Sequence, residues 1–176
     1  NMQIAHGEVA KDTAVILSRM GHAIACRNCG WKQGNAYLRD MAKASTAPII
    51  NMQDDIYHPL QAIADLMTIQ EKRGRNTRNL KVSVIWAYAT THKKPISVPV
   101  SQALLFPRYG IDVTLAYPEG YDLPDWVIAK ARENAARYGG SLTITHDQEE
   151  AYRDADVVFP KNWGNWVTNE STDVIG

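Results

Sequence analysis

The segment His58-Pro59-Leu60-Gln61 carries the residue types from which a site for a small phosphorylated carbonyl compound can be built. It follows a short apolar run, Ala47-Pro48-Ile49-Ile50, and a polar turn, Asn51-Met52-Gln53-Asp54-Asp55. Pro59 suits the first turn of a helix, where its missing N–H costs nothing and its φ is already helical. His58 then takes the cap position, and Gln61 lies on the same side of that first turn. Free backbone N–H groups at such an end favour an anion. An imidazole and a carboxamide beside them can donate hydrogen bonds to a carbonyl oxygen.

These side chains must be positioned by the elements around them, and hydrophobic periodicity predicts what those are. A helix is expected over residues 9–21, with Val9, Thr13, Ile16, Leu17 and Met20 at helical spacing and Gly21 ending it. Residues 23–27 read as a short buried strand that ends on Arg27. A second helix is expected over 33–44, with Ala36, Leu38, Met41 and Ala42 inward, and a second strand over 48–52. The helix opened by His58 runs to residue 72, with Leu60, Ile63, Ala64, Met67 and Ile69 as apolar surface. Beyond a polar, basic stretch at 74–80, strands are expected at 82–88, 111–116, 141–145 and 156–159. Helices near 98–108, 124–138 and 147–153 separate them. This alternation implies an α/β protein: parallel sheets with helices on both faces, in two Rossmann-like halves. The expected division is 1–73, a linker at 74–80, and 81–176. Parallel strands want both faces covered, so two strands make a poor independent core. The first half is therefore expected to be incomplete.

Composition narrows the function classes. Lys plus Arg equals Asp plus Glu at 19 each in 176 residues, which gives no basic field for nucleic acid. The densest basic run, at 72–81, reads as a solvated connector. No apolar run approaches the ~18 residues that span a bilayer, so no membrane partner is expected. The first residues show no signal-peptide pattern, and two cysteines fit a reducing cytoplasm. Cys26-Arg27-Asn28-Cys29 is a lone CxxC with only His22 near it, where a four-ligand zinc site needs a second pair, so no metal site is predicted. His6 and His92 read as surface residues. No strand is followed by a Gly-x-Gly-x-x-Gly or Walker loop, which argues against a nucleotide-binding protein.

His58-Pro59-x-Gln61, with Asp65 and Leu66 after it, resembles the aspartate/ornithine carbamoyltransferase family. Gln3-Ile4-Ala5-His6-Gly7-Glu8 with Asp12-Thr13-Ala14 is similar to the loop and helix that precede that motif in the family, and the similarity continues to residues 156–163. The resemblance implies that His58 and Gln61 hold the carbonyl end of carbamoyl phosphate and that Arg27 binds the same molecule. It implies that Gln3 reaches across a trimer interface into a neighbouring active site. The place where ornithine enzymes carry paired asparagines reads Lys94-Pro95-Ile96-Ser97-Val98-Pro99-Val100-Ser101. That Val-Pro, together with Lys161-Asn162-Trp163 and residues 117–123, looks like the knotted acetylornithine, succinylornithine and YgeW-type branch. Ser97, Lys161, Asn162 and Trp163 are accordingly expected on the acceptor side. The family's Ser-Thr-Arg-Thr-Arg phosphate loop and His-Cys-Leu-Pro segment lie outside this sequence, so the 176 residues alone are expected to be inactive.

The function implied is transfer of a carbamoyl group from carbamoyl phosphate to the amine of an amino-acid-like acceptor, in a cytoplasmic homotrimer. It needs no cofactor, metal or covalent nucleophile. Arg27 and His58 would donate to the developing oxyanion, Gln61 would bond the carbamoyl NH2, and positioning of the two reactants would supply much of the rest. The competing reading is a non-catalytic binding module that keeps the fold without the phosphate loop. For single residues, too, bland readings stand beside these. Arg27 could instead pair with Asp54 or Asp55. Lys161 either meets an acceptor carboxylate or faces solvent. Trp163 and Trp166 either line the acceptor site or simply pack.

Overall fold

The computed structural model describes residues 7–88, 91 and 93–167. The chain forms two parallel sheets with helices packed on them. Strands β1 (Ile24–Asn28) and β2 (Ile49–Asp54) make the first, interleaved with helices α1 (Ala10–Ser18) and α2 (Gly34–Ala44). Helix α3 (Pro59–Arg73) leaves β2 and ends at Gly74. The second sheet contains β3 (Lys81–Trp86), β4 (Asp112–Ala116), β5 (Ser141–Thr145) and β6 (Val157–Lys161). Helices α4 (Ser97–Leu105), α5 (Asp125–Tyr138) and α6 (Gln148–Tyr152) connect them. Strand order is β5-β4-β3-β6, all parallel. The chain therefore runs outward from β3 to β5 and returns to the other side of β3. That reversal opens a crevice at the carboxyl ends of β3 and β6, the place where open α/β sheets bind ligands.

The larger core lies under the second sheet, where Val82, Val84, Val113 and Leu115 meet Ile96, Val100, Phe106 and Trp163. Leu66 and Ile69 of α3 join it, so α3 spans both halves. A smaller cluster of Ala14, Ile24, Cys26, Leu38 and Met41 covers the first sheet. Arg73 pairs with Asp156 across the segment between the halves. Cys26 is buried and Cys29 half-buried, and both are free thiols.

Two helix faces differ from the periodicity reading. In α3 the buried residues are Ala62, Asp65, Leu66 and Ile69. Of the residues read as the apolar surface of this helix, Ile69 is buried, whereas Leu60, Ile63 and Met67 are 43%, 47% and 55% exposed. Both stripes have helical spacing, and the fold buries the one that carries a carboxylate because that carboxylate finds Gln102 on α4. In α2 the buried stripe is Gly34, Leu38 and Met41, while Ala36 and Ala42 face solvent. Gly34 is required there: a Cβ would lie 1.9 Å from the carbonyl oxygen of Asn28.

Candidate functional site

Arg27, Gln53, His58, Gln61, Asp65, Val98, Gln102 and Lys161 surround one cavity of about 410 Å³. It lies where the carboxyl ends of both sheets meet. Arg27 and Gln53 come from β1 and β2, His58 and Gln61 from the start of α3, Gln102 from α4, and Lys161 from the end of β6. A register shift between Cys26 and Arg27 leaves Met52 unpaired on β2, so Arg27 pairs with Gln53. Such a bulge re-aims the side chains beyond it; here both residues past the step line the cavity. Arg27 forms no ion pair with Asp54 or Asp55, and among the described residues no acceptor takes up its guanidinium.

The turn that delivers His58 is clipped by Asp54, which is fully buried. Its Oδ1 accepts the backbone N–H groups of Ile56 at 2.7 Å and Tyr57 at 2.5 Å. Its Oδ2 accepts the side-chain amides of Asn35 at 2.7 Å and Asn51 at 2.8 Å. Asp55 takes the backbone N–H of Asn35 at 2.7 Å, and burial pushes its carboxyl above the ordinary range. The backbone N–H of His58 donates to Ser101 Oγ on α4 at 2.8 Å. At the head of α3, His58 Nδ1 accepts the N–H of Gln61 at 3.3 Å. That bond fixes the tautomer, because a backbone N–H can only donate. Nδ1 carries the lone pair, and Nε2 carries a hydrogen that can be offered to a ligand. Burial lowers the His58 pKa from 6.5, and the nearby Arg27 charge lowers it further, against a smaller opposing effect of Asp65. A neutral imidazole with an Nε2 donor is the result.

Asp65 organises the other wall. Its Oδ1 accepts from Gln61 Nε2 at 2.8 Å and its Oδ2 from Gln102 Nε2 at 2.7 Å. Gln53 is tied back by its Nε2, which donates to the buried Ser97 Oγ at 2.9 Å. Lys161 is half-buried, and burial followed by the charge of Lys94 lowers its pKa. Its Nζ meets Asn162 Oδ1 at 3.3 Å, a neutral partner that leaves the charge uncompensated. The cavity thus offers an anion two cations, a carbonyl oxygen a neutral donor, and an N–H group carboxamide oxygens.

Comparison with known proteins bears on this arrangement directly. Residues 1–71 match the aspartate/ornithine carbamoyltransferase carbamoyl-P binding domain, and residues 81–173 match the Asp/Orn binding domain of the same family. This chain belongs to the aspartate/ornithine carbamoyltransferase family. It is 39% identical to "Putative carbamoyltransferase YgeW" of Escherichia coli K12 over 98% of this chain and 48% of that protein. It is 40% identical to a catabolic ornithine carbamoyltransferase of Thermoplasma acidophilum, over 92% of this chain and 49% of the relative. The crystal structure of N-acetyl-L-ornithine transcarbamylase superimposes with a TM-score of 0.81 at 33% identity, over 89% of this chain and 50% of that one. A mutant of that enzyme complexed with carbamyl phosphate and N-succinyl-L-norvaline gives 0.83 at 32% identity, over 90% and 49%. The chain spans about half the length of the curated relatives it matches.

Set against the family's expected roles, Arg27, His58, Gln61 and Lys161 are brought together around one cavity. Ser97 stands behind the wall as the anchor of Gln53. Asn162 lies beside Lys161 as its hydrogen-bond partner. Trp163 is fully buried, its indole N–H donates to Tyr121 O at 2.9 Å, and its own carbonyl accepts from Trp86 Nε1. Between lining the acceptor site and packing, it packs, and its place on the acceptor side is corrected to the core. Trp166 stacks edge-on with Trp31 at 4.8 Å. Gln3, His6 and His92 lie outside the described residues. Gln53 and Gln102 escaped the sequence reading. The signal for Gln102 was a run of polar residues, Ser97, Ser101 and Gln102, inside an otherwise apolar helix.

Proposed function

We propose that the full-length protein is a carbamoyltransferase that moves a carbamoyl group from carbamoyl phosphate to the amine of an amino-acid-like acceptor. The observation that carries this reading is the convergence of Arg27, His58 and Gln61 on one cavity, in a chain of this family. The amine nitrogen attacks the carbamoyl carbon, an N–C bond forms, and the carbonyl pair moves onto oxygen. The C–O bond to phosphate then breaks, phosphate leaves with that electron pair, and the amine's proton departs as hydrogen phosphate forms. In this reading Arg27 and the Nε2–H of His58 hold the oxyanion, a donor pair of the kind that often dominates catalysis. Gln61, its NH2 turned to Asp65, keeps its oxygen for the carbamoyl NH2. Lys161 answers the carboxylate of the acceptor.

Residues 1–73 and 81–176 are read as parts of the carbamoyl-phosphate and amino-acid domains, joined by 74–80. A homotrimer is supported by family membership and by exposed apolar side chains on and flanking α1, Val9, Ile16 and Met20, exposed by 54%, 52% and 77%. A cytoplasmic location fits the absence, among the described residues, of any helix long and apolar enough to cross a membrane. The test is to incubate full-length protein with carbamoyl phosphate and, separately, L-ornithine, N-acetyl-L-ornithine and N-succinyl-L-ornithine, measuring ureido product and phosphate together. Equal release of both with one of these amines is expected. Failure of carbamoyl phosphate to bind at all would overturn the proposal.

A further inference from the structure

A second cavity, of about 490 Å³, opens at the carboxyl ends of β4 and β5 and shares no lining residue with the one around Arg27 and His58. One wall is α5, which presents Asp125, Ile128 and Arg132 at helical spacing. The facing wall is the loop after β4, with Tyr117, Asp122 and Leu123, and Ile144 joins from the end of β5. The charges in this space do not meet: Arg132 forms no ion pair with Asp122 or Asp125. The rise of the helix alone sets Asp125 roughly 10 Å from Arg132 along its axis. Asp122 is turned to the buried Tyr117, whose phenol is pushed up to about 12 by burial and then by that carboxylate, against a smaller opposing effect of Arg132. A carboxylate and a guanidinium thus stand within electrostatic reach of one hydroxyl without touching each other, and apolar side chains line the gap between them.

We propose that this cavity binds a free aliphatic α-amino acid, with Arg132 on its carboxylate, Asp122 on its ammonium and Leu123, Ile128 and Ile144 against its side chain. A guanidinium takes a carboxylate in a two-pronged, charge-assisted contact. The ammonium of the same molecule then reaches the carboxylate across the gap, and the hydrocarbon leaves water between the two. Only a ligand with both charges answers both walls. An amine without the acid leaves Arg132 unmatched, and an acid without the amine leaves Asp122 unmatched; a site built for a polar group discriminates against the analogue that lacks it. Tyr117 acts as a positioning residue, since its buried ring fixes the hydroxyl beside Asp122. No residue of the Arg27 and His58 cavity takes part, so the inference stands apart from the carbamoyltransferase reading.

The probe is L-leucine, titrated calorimetrically into the full-length protein, with L-leucinamide and N-acetyl-L-leucine as analogues that each lack one charge; carbamoyl phosphate is titrated alongside. Saturable binding of L-leucine is expected, with either analogue at least roughly 10-fold weaker, the loss of one charge-assisted contact. Arg132 is exposed on α5, so Arg132→Gln is expected to fold as the wild type does. It should weaken L-leucine roughly 10-fold or more, erase its advantage over L-leucinamide, and leave carbamoyl phosphate affinity as it was. Asp122→Asn should erase the advantage over N-acetyl-L-leucine, and Lys161→Met should leave L-leucine binding unmoved. Circular dichroism and the melting temperature establish that each variant folds, and Arg132→Gln decides the matter if Asp122→Asn does not fold. No saturable binding of L-leucine, binding indifferent to Arg132→Gln, or an equal loss of L-leucine and carbamoyl phosphate in that variant would overturn the site. Binding of L-leucine that disappears in Lys161→Met would place it in the other cavity and overturn the site equally. In each of these cases the carbamoyltransferase reading is still decided separately, by release of ureido product and phosphate.

Discussion

His58 is assigned two jobs on two ring nitrogens, and they can be separated. Nδ1 caps α3 by accepting the Gln61 N–H at 3.3 Å, while Nε2–H is left for the ligand. His58→Ala removes both. The cap bond is long, so its loss should fall at the low end of the N-cap range, about 0.5 kcal/mol, or roughly 1–2 °C in Tm for a protein of this size. The backbone bond from His58 N–H to Ser101 Oγ does not depend on the side chain and survives. His58→Asn restores the cap, since asparagine is among the best residues at that position, but supplies no donor where Nε2 stood. Loss of a neutral hydrogen bond to the ground-state carbonyl is worth about 1 kcal/mol, roughly fivefold in Kd for carbamoyl phosphate. Once that oxygen becomes an oxyanion the same donor is worth more, on the order of 10²–10³ in kcat. The expected signature of His58→Asn is thus a wild-type Tm, a small rise in Kd and a large fall in kcat. Acid gives an independent arm. The folded-state pKa of His58 lies below 6.5, so the unfolded chain binds its proton first. The cap's contribution is present above pH 6.5 and lost as pH falls through the lowered value, where a second N–H on Nδ1 would face that of Gln61. The acid-side fall in Tm should be shallower in His58→Asn. A His58→Asn enzyme with wild-type kcat at neutral pH would refute the assignment of Nε2 as the oxyanion donor.

Further predictions follow from the same geometry. Asp54→Ala strands four partly buried donors and should cost about 3 kcal/mol, read as a Tm loss of roughly 6–12 °C in thermal unfolding; a loss near zero would show that the turn before His58 holds without its clip. Gly34→Ala places a Cβ 1.9 Å from the Asn28 carbonyl, next to Arg27. It should exceed the usual overpacking cost of about 1–3 kcal/mol and weaken carbamoyl phosphate binding in the same titration. Lys161→Met removes a half-buried ammonium that has only a neutral partner. It should leave Tm unchanged or raise it, while KM for the acceptor amine rises roughly 10-fold or more and carbamoyl phosphate binding stays as it was.

Much of this was legible in the sequence because local rules agreed with the tertiary outcome. Pro59 at the first turn of α3, Pro124 and Gly139 bounding α5, and β-branched runs separated by turns place every described strand and helix to within a few residues. What periodicity could not decide was which of two stripes on α3 is buried. Residues 60, 63, 64 and 67 and residues 62, 65, 66 and 69 both have helical spacing, and the second contains an aspartate. Hydrophobicity alone prefers the first. The fold takes the second because Asp65 finds Gln102 on α4, a pairing between residues 37 positions apart that no window along the chain can see. The register shift in β1 was illegible for the same reason, since it is a property of two strands. Trp163 was ambiguous because an indole serves equally well in a core or at a site, and only its bond to Tyr121 O settles it.

The polar residues of α4 explain what holds the walls of the cavity in place. Ser97, Ser101 and Gln102 are all buried, a costly choice on a helix packed against an apolar core. Each is spent on the first half: Ser97 on Gln53, Ser101 on the His58 backbone, Gln102 on Asp65. A fourth bond, from Ile96 N–H to Asp55 O at 3.2 Å, runs the same way. Four such bonds at about 1 kcal/mol each hold the end of β2, the turn after it and the start of α3 against α4 and its N-terminal cap, and so help to set the spacing of the side chains around the cavity. If the halves were joined only by residues 74–80, ligand binding would have to supply that ordering free energy itself. Because α4 supplies it, Arg27 and the Nε2–H of His58 are in place before any ligand arrives, and for the proposed reaction that is the condition under which an interaction with developing charge lowers a barrier.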